Sequence, residues 1–327
     1  MTAAAVERWA AARTFHHSLF SPERVAADRS ESVTVCLPAR ECADTIGPIV
    51  RTLMGLREAG VLDEIVVVDA ASQDGTAGLA ARAGATVLQE AELMPEMGPV
   101  LGKGDAMWRA LGSLQGEIVC FLDADNGQFS GHFVTGLLGP LVCGAQPADG
   151  QADQGSDGDS ATEIAFVKAF YRRPFVEAGI SLPEGGGRVN HLTARPALAL
   201  FYPELTGIRQ PLAGEVAARR ELLASVPFTT GYGVEMAMLL DVWRGAGLWA
   251  IAQVDLDVHH NAHQQLQALS GMAYNVLEVV ARRMERDGRL SGFAPTPPPG
   301  FGAQALVERP PLASLRARLG VNGDRLA

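Results

Sequence analysis

Runs of apolar, largely β-branched residues alternate with amphipathic segments along the first 125 residues of this chain. Four runs have the length of strands: SVTVCLPA (32–39), EIVVVDA (64–70), TVLQE (86–90) and EIVCFLDAD (117–125). The segments between them place apolar side chains at helical spacing. Strands that are apolar along their whole length are buried on both faces, and strands that alternate with helices are typical of a parallel sheet. The pattern therefore predicts an α/β, Rossmann-like fold whose mostly parallel sheet is flanked by helices.

Three of these runs are expected to end at residues that suit ligand binding, namely Pro38, Asp69 and Asp123. In open α/β sheets, ligands bind beyond the carboxyl ends of the strands. The first two runs are not followed by a glycine-rich dinucleotide or phosphate-loop fingerprint, which disfavours both of those cofactor-binding modes. We therefore expect a ligand cleft at this edge of the sheet, built without a standard phosphate loop.

The second half of the chain is expected to contain strands at 163–174 and 248–261 and helices at 215–226, 233–247 and 265–287. The low-complexity acidic stretch QPADGQADQGSDGDS predicts a flexible insert, and the proline-rich PTPPPG predicts an arm outside the core. The resulting division is an N-terminal helical arm, a first α/β half, the acidic insert, a second half and the C-terminal arm, at residues 1–30, 31–145, 146–160, 161–290 and 291–327.

Composition argues against several classes of partner. The chain has 37 acidic and 27 basic residues and a formal charge of −10, which disfavours nucleic-acid binding. Its N-terminal segment lacks the apolar core of a signal peptide, and glycine and proline interrupt the weakly charged stretch 126–148. The four cysteines form no C-x-x-C pair, which is typical of reduced thiols. We therefore expect a cytoplasmic protein that does not bind a membrane.

The sharpest motif is Asp123-Ala124-Asp125, at the end of the fourth run. Alternate residues of an extended chain project to the same side, so both carboxylates can face one cleft. Two carboxylate donors suit Mg²⁺ or Mn²⁺, and such an ion can bridge a diphosphate. The alternative is a strand that ends in solvated acids at a turn.

Two further segments are candidates for binding anions. Lys103 stands between two glycines before a helix, where its ammonium can neutralise a phosphate. Three glycines precede Arg188, and such a segment can form a nest of backbone amides beside a guanidinium. The alternatives are an exposed turn lysine and a plain flexible loop.

The segment VHHNAH and the acid Glu235 are also candidates. His260 or His263 can complete a metal site with Asp125, although surface histidines are the alternative. Strand alternation places residues 259, 261 and 263 on one face and 260 on the other. Glu235 begins an apolar helix, where it either complements the helix dipole or meets the hydroxyls of a polyol.

Taken together, LPARECADTIG, VVVDAASQDGT, GKGDAMWRAL and FLDAD resemble the nucleotide-binding half of a GT-A-type glycosyltransferase. The later segments FVKAFYRRP, GGGRVNHLTARP, QPLAGEVAARRELLASVPF, GYGVEMAMLLD and IAQVDL are similar to those of the glucosyl- and mannosyl-3-phosphoglycerate synthases. The resemblance covers about residues 32 to 270. It implies a GT-A-like fold with a C-terminal acceptor-binding extension.

The resemblance also implies retaining transfer of a hexose from a nucleotide diphosphate sugar to the 2-hydroxyl of 3-phosphoglycerate, with Mg²⁺ or Mn²⁺, by a homodimer. The implied nucleotide-sugar pocket comprises Pro38, Ala39, Glu41, Asp69, Ala70, Lys103, Asp123 and Ala124. The implied acceptor site comprises Gly187, Arg188, Asn190 and His263. The implied catalytic groups are Asp125, Glu235 and the backbone carbonyl of Leu212, and the metal ligands are Asp125 with His260 or His263.

The sequence departs from the glucosyl-type pattern at Arg40, at Ala124 in place of serine, in the acidic insert and in VHHNAH. These departures favour GDP-mannose as the donor and mannosyl-3-phosphoglycerate as the product. The alternative within the family is glucosyl transfer from UDP- or GDP-glucose. Alternatives of other kinds are a sugar-1-phosphate nucleotidyltransferase, a non-catalytic sugar-nucleotide binder and a transferase that acts on a lipid-linked acceptor.

Overall fold

The computed structural model describes residues 2–144, 162–177, 180–182, 185–260, 264–296 and 305–319. The helices, in chain order, are α1 (Ala3–Arg13), α2 (Pro22–Asp28), α3 (Ala43–Glu58), α4 (Thr76–Ala83), α5 (Lys103–Ser113), α6 (His132–Val142), α7 (Arg195–Phe201), α8 (Arg220–Ser225), α9 (Val234–Ala246), α10 (Leu266–Arg286) and α11 (Leu312–Leu319). The strands are β1 (Thr14–His16), β2 (Val33–Ala39), β3 (Glu64–Asp69), β4 (Thr86–Gln89), β5 (Ile118–Phe121), β6 (Phe166–Arg172), β7 (Phe175–Glu177), β8 (Ile180–Leu182), β9 (Val216–Arg219), β10 (Phe228–Thr229), β11 (Ile251–Val258) and β12 (Glu308–Arg309).

The central sheet has the strand order β1-β11-β6-β9-β5-β2-β3-β4. Strand β9 runs antiparallel to both of its neighbours, and the other adjacent pairs are parallel. Two small two-stranded sheets, β7-β8 and β10-β12, lie apart from it. The predicted mostly parallel α/β sheet is therefore confirmed.

Side chains of the central strands alternate between two cores. On β2, Val35 and Leu37 join a cluster with Phe133 of α6, whereas Cys36 joins a cluster with Trp108 of α5. All of these side chains are at most 1% exposed. Because both faces of the sheet are covered, both positions of the strand alternation are apolar. This explains why the strands are continuous apolar runs in the sequence.

The helix predicted at residues 215–226 is present only in its second part. Strand β9 occupies its first part, between β5 and β6, and only the short helix α8 follows. Ala217 and Ala218 are small and fully buried, and they pair with residues of both neighbouring strands. The alanines and leucines have helical spacing, but pairing of this segment between β5 and β6 outweighs that local preference.

Both terminal arms pair with strands of the folded body, which the sequence did not indicate. The arm at 1–30 contains helices as expected, but its strand β1 also extends the sheet by pairing with β11. In the C-terminal arm, β12 pairs with β10, and Arg309 and Leu312 are buried. Within the described residues, no helix is long and apolar enough to cross a membrane. All four cysteines are free thiols, and the acidic insert lies outside the described residues.

Candidate active site

A cleft of about 470 Å³ opens at the carboxyl ends of β2, β3 and β5, the edge of the sheet that the sequence indicated. Most of the site residues expected from the sequence line this cleft. Those that line it are Pro38, Ala39, Ala70, Lys103, Asp123, Ala124, Asp125, Gly187, Arg188, Asn190, Leu212 and Glu235.

Three expected site residues do not line the cleft, and His263 lies outside the described residues. Glu41 accepts a hydrogen bond from the amide of Gln73 in the neighbouring loop. Asp69 is 1% exposed beneath the cleft wall, and its Oδ1 has no hydrogen-bond partner. The backbone carbonyl of His260 accepts a hydrogen bond from the amide of Gly127.

The two acids of the Asp-x-Asp motif lie in the loop after β5, because this strand ends at Phe121 rather than at Asp125. Asp123 is partly buried and Asp125 is exposed in the cleft. Loss of hydration and the like charge of Asp123 raise the pKa of Asp125. Mutual repulsion of this kind favours a cation between the two acids.

Lys103 is the first residue of α5 and connects two walls of the cleft. Its Nζ donates hydrogen bonds to Asp123 Oδ1 at 2.5 Å and to Glu235 Oε1 at 3.0 Å. Burial alone would lower the pKa of Lys103, but the two carboxylates outweigh this effect and raise it. The next residue is Gly104, where a Cβ atom would lie only 2.0 Å from the carbonyl oxygen of Thr229. This close approach brings α5 against the segment that precedes α9 and Glu235.

The donor atoms of Asp123, Glu215 and His259 lie within 4.8 Å of one another. The imidazole of His259 is 1% exposed, its Nε2 is 2.9 Å from Glu215 Oε1, and neither ring nitrogen makes a well-oriented hydrogen bond. Glu215 also accepts a hydrogen bond from the hydroxyl of Tyr171. A buried imidazole beside two carboxylates is a donor set that fits a divalent cation such as Mn²⁺.

The imidazole beside these acids is that of His259, whereas the sequence indicated His260 or His263, and His263 lies outside the described residues. The pairing of β11 with β6 is irregular between Asp255 and Val258, and Asp257 has a φ of 64°. Such a bulge interrupts the strict alternation of side chains along a strand. Alternation along the strand therefore does not decide which histidine faces the acids.

The expected acceptor segment lies on the same cleft. Arg188 Nη2 donates a hydrogen bond to the carbonyl of Gln264, and its guanidinium lies over the ring of Phe175. Gly187 has a φ of 70°, a conformation that favours glycine. Arg173, which the sequence did not indicate, also lines the cleft, as does Arg40.

The chain contains only two lysines among its 27 basic residues, Lys103 and Lys168. Lys103 lines the cleft, and Lys168 contacts Ala213, which also lines it. Lys168 on β6 is 1% exposed, and its Nζ donates a hydrogen bond to the carbonyl of Ala213 at 2.8 Å. Burial lowers the pKa of Lys168 to about 8. It holds the backbone beside Leu212, one of the expected catalytic groups. The scarcity of lysine is a sequence signal that would have identified it.

Residues 34–163 match the sequence family described as glycosyl transferase family 2. The chain is 39% identical to the glucosyl-3-phosphoglycerate synthase of Petrotoga mobilis, over 85% of this chain and 82% of that protein. It is 38% identical to the glucosyl-3-phosphoglycerate synthase of Mycolicibacterium smegmatis, over 90% of this chain and 93% of that protein.

Solved structures agree with the sequence relatives. The mannosyl-3-phosphoglycerate synthase of Rubrobacter xylanophilus superimposes with a TM-score of 0.80 and 41% identity, over 95% of this chain and 98% of that one. The glucosyl-3-phosphoglycerate synthase of Mycobacterium tuberculosis, in complex with Mn²⁺, UDP-glucose and phosphoglyceric acid, gives a TM-score of 0.76 and 35% identity, over 93% of this chain and 99% of that one. With the fold, the strand-end cleft and these similarities in agreement, this chain is a glycosyltransferase with a GT-A-like fold and belongs to the glucosyl- and mannosyl-3-phosphoglycerate synthase family.

Proposed function

We propose that this protein transfers a hexose from a nucleoside diphosphate sugar to the 2-hydroxyl of 3-phosphoglycerate, with retention of the anomeric configuration and with Mg²⁺ or Mn²⁺. The observation that carries the proposal is one cleft lined by Asp123, Asp125, Arg173 and Arg188, with the buried His259 and Glu215 next to Asp123. The acids and the imidazole suit a cation and a diphosphate, and the arginines suit an acceptor with a phosphate and a carboxylate.

On the donor side, Pro38, Ala39 and Ala70 form a wall for the nucleoside. Asp69 lies buried between two residues of this wall, Val68 and Ala70, and its Oδ1 has no hydrogen-bond partner. We assign the divalent cation to Asp125 and His259, whose charges interact, with Asp123 and Glu215 beside them. When bound, such an ion supplies Lewis-acid stabilisation to the nucleoside diphosphate that leaves.

On the acceptor side, Arg188 and Arg173 provide positive charge for the phosphate and carboxylate of 3-phosphoglycerate. The amide group of Asn190 contacts the loop that carries Leu212, since Leu212 N lies 3.5 Å from Asn190 Oδ1. This contact fixes the acceptor segment relative to the Leu212 carbonyl. The acceptor hydroxyl and the anomeric carbon would then meet between these two segments.

The sugar would lie among Glu235, Lys103 and Leu212. Glu235 and Asp123 both accept a hydrogen bond from Lys103, and this pairing reduces their strength as covalent nucleophiles. We therefore propose a front-face route, in which the acceptor hydroxyl attacks from the side of the departing diphosphate. Its proton passes to the oxygen of the leaving phosphate, and the Leu212 carbonyl stabilises the oxocarbenium-like transition state.

The identity of the sugar is the finer part of the proposal. The departures in the sequence favoured GDP-mannose, and the Rubrobacter xylanophilus relative is a mannosyl enzyme. The curated relatives, including those from Petrotoga mobilis and Mycolicibacterium smegmatis, are glucosyl enzymes. Glucosyl transfer is thus supported at least as well, and we take UDP- or GDP-glucose as the first donors to test and GDP-mannose as the second.

A donor panel tests this function directly. Purified protein with Mn²⁺ is given 3-phosphoglycerate and either UDP-glucose, GDP-glucose or GDP-mannose, and released nucleoside diphosphate and the anomeric configuration of the product are measured. Turnover with retention is expected for at least one donor. Donor binding without turnover would instead indicate a sugar-nucleotide binder, and pyrophosphate release from a nucleoside triphosphate with a sugar 1-phosphate would indicate a nucleotidyltransferase.

Two variants test the residue assignments within this function. Arg188→Ala should raise the KM for 3-phosphoglycerate far more than the KM for the donor, whereas Arg195→Ala, an exposed arginine of α7, should change neither. Equal increases in both KM values would reject the acceptor assignment. His259→Ala should weaken Mn²⁺ binding. The electron paramagnetic resonance signal of free Mn²⁺, recorded without substrates, measures this binding.

A further inference from the structure

A second group of metal-ligating side chains lies outside the cleft, where strand β1 meets β11. It consists of His16, His17 and Asp257, whose donor atoms lie within 4.8 Å of one another. Nε2 of His17 is 2.7 Å from Asp257 Oδ2, and Nε2 of His16 is 3.4 Å from Asp257 Oδ1. Both imidazoles therefore present the same ring nitrogen to different oxygens of one carboxylate.

The packing around this group holds the donors in place. The ring of His17 stacks on that of His132 with centroids 4.2 Å apart, and its side chain is 17% exposed. Nδ1 of His16 is 2.8 Å from the hydroxyl of Ser18. A ligating histidine almost always binds a polar partner through its other ring nitrogen, and this partner orients the ring.

The side facing solvent is open. Asp257 and His16 are 46% and 45% exposed, so an ion has an entry path and a water can complete its coordination. Arg172 Nη2 is the competing cation, 3.8 Å from Asp257 Oδ1, but this arginine side chain is 55% exposed and free to turn into solvent. The group is therefore accessible without rearrangement of the core.

We propose that His16, His17 and Asp257 form a Zn²⁺ site separate from the catalytic cleft. Two imidazole nitrogens and one carboxylate oxygen, with water in the fourth position, are a tetrahedral donor set that zinc accepts. In such a site the donor atoms lie about 3.3 Å apart, given Zn–N and Zn–O distances of about 2.0–2.1 Å. The separations of 2.7 and 3.4 Å are thus within a small movement of the bound geometry. Imidazole nitrogen favours zinc over Mg²⁺ or Ca²⁺.

Without an ion, the group is a hydrogen-bonded His–Asp–His arrangement. The amide and the hydroxyl of Ser18 both lie near Nδ1 of His16, so the proton of a neutral ring sits on Nε2 and is donated to Asp257. Zinc binding at Nε2 requires the other neutral tautomer, in which the proton stands on Nδ1 and the hydroxyl oxygen of Ser18 accepts it.

Zinc at this position joins the N-terminal arm to the sheet. His16 ends β1, which pairs with β11 in the register His16 to Asp255, and Asp257 lies further along β11. Bound zinc would cross-link the edge strand to the strand that leads into His259. The inference does not depend on the proposed function, since neither its ligands nor its test involve the donor or the acceptor.

Equilibrium dialysis of the full chain against zinc chloride tests the site. Wild-type protein is expected to bind one more Zn²⁺ per chain than His17→Gln or Asp257→Asn, whereas His191→Gln, an exposed histidine elsewhere, should bind as much as the wild type. Zinc at about 100 times its dissociation constant should raise the Tm of the wild type by about 4 °C, and should raise it less in the two site variants.

The alternative outcomes are distinct. If Asp257→Asn and His17→Gln retain the wild-type zinc stoichiometry, the site does not exist. Circular dichroism in the presence of a chelator identifies any variant that fails to fold, and the remaining variant then decides. Cobalt(II) titration adds a second measurement, because the visible bands of tetrahedral Co²⁺ should be lost in the same two variants and kept in His191→Gln.

Discussion

The ammonium of Lys103 lies 2.5 Å from the carboxylate of Asp123, so the first residue of α5 is tied to the loop that follows β5. The same ammonium is 3.0 Å from Glu235, at the start of α9. Helix α5, the loop after β5 and helix α9 are distant in sequence, and all three contact the ammonium of Lys103 or carry it. The relationship places a permanent cation beside the acids that we assign to the donor site.

Lys103→Met should abolish most of the turnover. It removes the partner of Asp123 and Glu235 and leaves two carboxylates beside a diphosphate, so kcat should fall by about 10²-fold or more. Steady-state kinetics with the active donor measures the change. A variant with wild-type kcat would show that the lysine has only a structural role.

Gly214→Ala should disturb Asp123 selectively. A Cβ atom at Gly214 would lie 2.5 Å from Asp123 Oδ2, so the carboxylate has to move. We expect weaker donor binding, measured by calorimetry with the nucleoside diphosphate and Mn²⁺. Gly127→Ala is the matched control, because its Cβ would have no neighbour within 4 Å. Similar losses in both variants would contradict the assignment of Asp123.

Lys168→Met should remove a pH-dependent part of the stability. The pKa of Lys168 falls from 10.5 to about 8 in the folded chain, so the unfolded chain binds more protons between these values. The destabilisation from the buried ammonium is therefore full below pH 8 and is relieved as the pH rises from about 8 to 10.5.

The wild type should thus gain up to roughly 3 kcal/mol relative to Lys168→Met across this window. Urea unfolding of both proteins at several pH values measures the difference. A constant difference between the two proteins would mean that Lys168 stays charged throughout.

Arg309→Leu should destabilise the fold. Nε and Nη2 of Arg309 each donate to Asp105 at 2.8 Å, and Asp105 is completely buried. Although Arg109 would remain a partner, loss of a buried pair is expected to lower the free energy of unfolding by about 3 kcal/mol.

The control for this variant is Arg244→Ala, which breaks an ion pair with Asp287 in which the arginine is 48% exposed. That change should lower the free energy of unfolding by less than about 1 kcal/mol. Chemical denaturation compares the two. Equal effects would contradict the inference that β12 is part of the core.

Several site residues could be read from the sequence because their signals are local. Asp123 and Asp125 follow a buried run, Lys103 stands between glycines before a helix, and the family resemblance supplied the remaining expectations for the cleft. Other residues carry no local signal. Tyr171 and Glu215 come together only because β6 and β9 pair across the sheet.

The amino-acid sequence by itself determined the parallel sheet, the edge at which the cleft opens and the acids that lie there, because the period of apolar residues and the ends of strands are local properties. Only the tertiary structure decided that residues 216–219 are a strand, that His259 rather than His260 faces the acids, and that Arg309 is buried against Asp105. Each of these features depends on which segment, distant in sequence, packs against the residue concerned. Packing and charge pairing between remote parts of the chain make that choice, and no short stretch of sequence contains it.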